Sequence, residues 1–147
     1  VNVIKYEDRK DPTFNAEITG INKAAYIEGE KITFALQPYA DLYVRVFDLI
    51  DDQAYEIYPM VNKQYNINEQ AELFLKGQTY TFPRMKGIDF VFELNTPKEH
   101  HHFVIVLLKQ DIPYTEGDTS KEVLDWIFTI PPSERLVKTF AFEVMKN

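Results

Sequence analysis

The chain contains no cysteine, which removes disulfides, thiol nucleophiles, iron–sulfur clusters and cysteine-bound zinc together. Its five glycines, Gly20, Gly29, Gly77, Gly87 and Gly117, stand too far apart to make a phosphate-cradling loop. Only two serines occur, Ser120 and Ser133, and neither sits in a G-x-S-x-G elbow. No apolar run approaches the ~20 residues that span a bilayer, so no transmembrane segment is expected in this chain. Basic residues are outnumbered 16 to 23, a net charge of -7. That sign opposes the counterion release behind nucleic-acid binding and disfavours anionic membrane surfaces. The chain starts at Val1 with no basic-then-apolar leader. It reads as a processed or excerpted product, whose removed N-terminal segment could have supplied a membrane attachment.

What is present is apolar and aromatic. Hydrophobic residues make up 45% and aromatics 14% of 147 residues, enough for one domain spanning 1–147 that buries roughly 70% of its unfolded surface. The main signal is strict alternation, as a half-buried strand requires. It appears over Lys31–Gln37, Ile88–Leu94 and Thr139–Val144. Leu42 to Ile50 is apolar on both faces, and Phe103 to Leu108 is an unbroken apolar run; both read as core strands. Asp51-Asp52-Gln53 predicts a hairpin turn, with Ala54–Tyr58 returning as the partner until Pro59 ends it. Thr79–Phe82, closed by Pro83, predicts another short strand, and Val1–Tyr6 an edge strand.

One segment changes period. Val123, Ile127 and Ile130, with Leu124 and Phe128 beside them, share a helical face, and Trp126 falls at its margin. Thr119-Ser120-Lys121-Glu122 carries the T-x-x-E spacing of a capping box, and Pro131-Pro132 is a stop. The expected helix covers about 120–130. The predicted fold is therefore mainly β, an antiparallel β-sandwich of immunoglobulin-like or jelly-roll-like form with that one amphipathic helix. The Met60–Gln78 connection exceeds the usual ~12–15 residues of a structureless loop, so it is expected to be functional or partly structured, with a helical turn over Ala71–Leu75.

Chemistry has few places to reside. All three histidines are adjacent, and on an extended segment His100 and His102 would point the same way, as two metal ligands would, with His101 opposite. The competing and favoured reading is a polar lead-in to the Phe103 strand. Asp48, Asp51, Asp52 and Glu56 gather around the predicted hairpin but lack a calcium-loop pattern, so they read as a solvated turn. Tyr39, Tyr43, Tyr55, Tyr58, Tyr65 and Tyr80 are expected mostly in the core or at strand edges. The best exposed anchor is Tyr65, in the long connection with Met60, Val61 and Ile67; these four are the candidate binding residues.

Four short motifs come in a characteristic order: Tyr26-Ile27-Glu28-Gly29-Glu30-Lys31-Ile32-Thr33-Phe34, Asp41-Leu42-Tyr43-Val44-Arg45-Val46-Phe47-Asp48, Ile57-Tyr58-Pro59 and Lys76-Gly77-Gln78-Thr79-Tyr80-Thr81-Phe82-Pro83. Together, over about residues 26–114, they resemble an uncharacterised bacterial domain-of-unknown-function family of β-rich modules, often found behind exported or envelope-associated domains. The chain differs at Lys98–His102, where the family has a Gly-Glu pair, and at Met60, where an Asn is usual. The resemblance implies a scaffold or interaction module rather than a reaction. The resulting expectation is a non-enzymatic, cofactor-free accessory module of the bacterial periplasm or cell envelope that binds a protein partner. A carbohydrate-binding module using exposed tyrosines is the alternative, and a metal-dependent hydrolase through His100 and His102 a third.

Overall fold

The computed structural model describes residues 11–147, so the strand expected over Val1–Tyr6 lies outside the described residues. Ten strands and one α-helix follow in chain order. They are β1 (Ala16–Thr19), β2 (Ala25–Ile27), β3 (Phe34–Pro38), β4 (Tyr43–Ile50), β5 (Gln53–Tyr58), β6 (Val61–Asn62), β7 (Ile67–Asn68), β8 (Tyr80–Phe82), β9 (Lys98–Leu108), α1 (Ser120–Thr129) and β10 (Arg135–Met145). The fold is mainly β, with sandwich-like packing of open sheets. A three-stranded sheet of order β1-β3-β8 faces a five-stranded sheet of order β2-β10-β9-β4-β5, and β6-β7 form a separate two-stranded hairpin. All pairings are antiparallel except β2 with β10.

The alternation in sequence becomes two cores on opposite faces of the larger sheet. On β9, Phe103, Ile105 and Leu107 point between the sheets, where they meet Val44 and Val46 of β4, Phe142 and Val144 of β10, and Phe34, Leu36 and Phe82 of the smaller sheet. Phe34 and Phe82 stack at 4.7 Å across the β3–β8 pair. The intervening residues Val104, Val106 and Leu108 join Phe47 and Leu49 on the outer face, which α1 covers with Val123, Trp126 and Ile127. This double burial explains why the second half of β9 is apolar throughout and why β4 carries apolar residues on both faces, interrupted only by the buried Arg45 and Asp48.

The capping box forms as its spacing predicts: Thr119 Oγ1 accepts from the Glu122 amide, and the Glu122 carboxylate accepts from the Thr119 amide. The Ser120 hydroxyl also donates to the carbonyls of Asp51 and Gln53, fastening α1 to the β4–β5 turn. Val123, Ile127 and Ile130 are buried on the expected face, and the departure is at its flanks. Trp126 is buried against Phe47 and Tyr114, while Leu124 and Phe128 are exposed. The indole widens the buried arc on one side, and positions 124 and 128 turn toward solvent.

Two other segments depart from expectation. Ile88–Leu94 keeps its alternation, with Phe90 and Leu94 buried, yet makes only one isolated bridge, between Ile32 and Phe90. Its backbone contacts are the Ile32 amide on the Phe90 carbonyl and the Gly29 amide on the Phe92 carbonyl, too few for a strand. Ala71–Leu75 is extended rather than helical, because Phe74 and Leu42 exchange both backbone hydrogen bonds. The Met60–Gln78 connection is thus partly structured, by the β6–β7 hairpin and by this bridge.

Candidate functional site

Strand parity decides the fate of the histidines. His101 shares the inward face of β9 with Phe103 and Ile105, so it is fully buried, while His100 and His102 point the other way and are exposed. His100 lies 3.5 Å from Glu143 of β10. No group of three histidine, aspartate or glutamate side chains among the described residues is placed to hold a metal ion.

The same parity brings Asp48 inward on β4, behind Val44 and Val46, which corrects the expectation of a solvated aspartate at this hairpin. Asp48 is 1% exposed, whereas Asp51 and Asp52 lie in the solvent-facing turn. His101 Nδ1 lies 2.9 and 3.1 Å from the two Asp48 carboxylate oxygens, and Nε2 lies 2.7 Å from Glu99 Oε1. Ionised carboxylates only accept, so engaging both requires a proton on each ring nitrogen. Burial opposes the charge on His101, but the hydrogen bonds and charges of Asp48 and Glu99 outweigh it and raise the pKa. Burial also raises the Asp48 pKa, more than His101 lowers it. Both shifts keep a proton within the Asp48–His101–Glu99 triad. The ring is further fixed between Phe142, stacked at 5.3 Å and 2°, and Phe92, at 4.2 Å.

Beside this triad opens a cavity of ≈ 670 Å³, within the size range of ligand sites. Asp48 and Glu99 reach it from β4 and β9, Tyr55 and Ile57 from β5, and Phe92 and Glu93 from the segment crossing the end of the sandwich. Met60, Val61 and Asn62, at the base of the β6–β7 hairpin, complete the rim. Of the four binding candidates, Met60 and Val61 therefore border the cavity. Tyr65 stands 69% exposed at the hairpin tip, and Ile67 is half-buried on the returning strand. Glu69 secures the hairpin by accepting from the Met60 amide at 2.9 Å.

Glu56, also on the cavity wall, is held on its other side by Arg45 at 2.9 Å. The Arg45 Nε donates to the Ile112 carbonyl, and burial raises the Glu56 pKa against the pull of the guanidinium. The tyrosines divide. Tyr58 is buried, and burial pushes its phenol up to about 12, whereas Tyr39, Tyr55 and Tyr65 are about half exposed or more. The polar groups of the wall, among the described residues, are the carboxylates of Asp48, Glu56, Glu93 and Glu99 with Tyr55 and Asn62.

Sequence reasoning put Asp48 in a solvated turn, weighed Glu99 only as a third metal ligand and set His101 opposite its neighbours without a role, yet the signal was there: each falls in phase with the inward apolar residues of its strand. Phe92 and Glu93 have no such signal, since nothing local shows the 88–94 segment crossing the sheet end. Comparison of the chain with family models, curated proteins and solved structures gives no match.

Proposed function

We propose that this chain is a non-catalytic interaction module that engages a partner through the cavity beside the Asp48–His101–Glu99 triad, with the β6–β7 hairpin as its rim. The observation that carries the reading is the cavity itself: a concave, mostly apolar site with a few fixed polar groups is the general form of a binding pocket. Exposed Val61 and Tyr65 give the rim the kind of anchors interfaces use. The exported or envelope setting rests on the motif resemblance over residues 26–114, and fractionation of the producing cell tests it.

The chain has three methionines, and of these only Met60 lines the cavity. Carbon-13 labelling of the methionine methyls gives each a separate resonance. A fragment collection screened by NMR should contain binders that move Met60 while leaving Met85 and Met145 in place. A screen whose binders never move Met60 removes the cavity from the reading.

A second reading, sugar binding by stacking, is favoured by one observation: Tyr55 presents a 53% exposed ring on the cavity wall. Oligosaccharides that quench the fluorescence of the native protein but not of Tyr55→Ala would support it.

A further inference from the structure

We infer that the cavity beside the triad receives a lysine or arginine side chain from an extended basic segment of a partner protein. The inference rests on the proposed role of that cavity and adds the chemistry of its occupant.

Two independent features of the wall point the same way. The first is shape and hydrophobicity: Ile57, Met60 and Phe92 form apolar sides that suit a hydrocarbon stem, and Tyr55 adds an aromatic face against which a cation is attracted. The second is charge. Asp48, Glu56, Glu93 and Glu99 all reach the cavity, and among the described residues no basic side chain lines it. Arg45 answers Glu56, and the His101 imidazolium answers one of Asp48 and Glu99. Glu93 and the remaining triad carboxylate have no cation against them among the described residues.

An inorganic cation does not meet this description. The carboxylates are spread around the wall instead of converging, and no three ligating side chains among the described residues come together. A divalent ion would also leave the apolar sides uncovered. An ammonium or guanidinium on an aliphatic stem satisfies both features. The volume of ≈ 670 Å³ leaves room for backbone beside the side chain, as a peptide segment supplies and a free amine does not. The net charge of -7 extends the same preference to long range, drawing basic partners in and turning acidic ones away.

The test uses the whole chain and four capped pentapeptides, Gly-Thr-X-Thr-Gly, with X as lysine, arginine, norleucine or glutamate. Binding is read from the Met60 methyl resonance. The lysine and arginine peptides should shift Met60 saturably and bind about tenfold tighter than the norleucine peptide, with affinity falling as salt rises. Glu93→Gln, which alters an exposed side chain, should weaken the lysine peptide about three- to tenfold without changing the melting temperature. If the norleucine or glutamate peptide binds as tightly as lysine, or if Glu93→Gln has no effect, the basic occupant is wrong while the cavity remains a binding site. If fragments move Met60 but no peptide does, the occupant is again wrong. If neither fragments nor peptides move it, the proposed function falls too.

Discussion

Replacing His101 by phenylalanine isolates the energetics of the triad. The imidazole is 0% and the Asp48 carboxylate 2% exposed, so the pair stands in the fully buried regime. A phenyl ring keeps much of the contact with Phe92 and Phe142, and the lost element is the donor to Asp48. Removing one member of a buried ion pair costs about 3–5 kcal/mol. Asp48 relieves part of this by taking a proton, which its raised pKa already favours, so the expected loss at neutral pH is near the lower end, about 3 kcal/mol. For a chain of this size that corresponds to a fall in Tm of about 6–12 °C. Glu99 keeps some access to water and adds little.

Urea unfolding of four proteins measures this: wild type, His101→Phe, Asp48→Leu and the double variant. The double variant should be more stable than either single one, because it replaces the pair by apolar groups instead of stranding one charge. The wild type also has a pH signature. The folded-state pKa of His101 lies above its unfolded value of about 6.5. Its contribution is therefore complete below about 6.5 and is lost as pH rises through the folded value. His101→Phe should lack this alkaline decline. A His101→Phe protein within about 1 kcal/mol of wild type, or single-variant effects that merely add, would refute the imidazolium and the coupling.

Two further substitutions probe other parts of the fold. The Tyr26 hydroxyl is buried with no hydrogen-bond partner among the described residues, so Tyr26→Phe should be neutral or stabilise by up to about 1–2 kcal/mol in thermal or urea unfolding; a loss above about 1 kcal/mol would show that the hydroxyl is in fact bonded. Gly20 has φ +110°, and a Cβ there would stand 2.8 Å from the Thr33 carbonyl oxygen and 2.9 Å from the Phe34 Cα. Gly20→Ala should therefore destabilise by more than about 1 kcal/mol, and unchanged unfolding would contradict the close approach.

The strands and helix that form the two cores were legible because burial imposes a pattern on the sequence: a period of two in β3 and the end of β10, apolar residues on both faces in β4 and the second half of β9, and a period near 3.6 in α1. Burial is all that a period reports. Ile88–Leu94 alternates because one side of it faces the core, but a ladder needs a neighbouring backbone, and that depends on residues distant in sequence. On α1 the period correctly places Val123, Ile127 and Ile130 on the buried face, and the width of that face is what it misses: Trp126 at the margin is buried, while Leu124 and Phe128 on the other flank are exposed. At His100–His102, residue type drew attention to the two outward rings as metal ligands. Parity with Phe103 and Ile105 identifies the middle ring as the buried one. The cavity was half-legible: Met60 and Val61 lie in the unusually long connection, but their meeting with Glu99 is a product of topology.

The place of β10 in its sheet bears on how the protein folds. β9 lies between β4 and β10, and its whole length, Lys98–Leu108, pairs with residues 135–145. Until residues 135–145 add to the sheet, one edge of β9 has unpaired backbone groups along its whole length, and the buried ring of His101 waits with its apolar run. Any folding route in which β10 adds late therefore passes through a form with an open, sticky edge, of the kind a chaperone would meet.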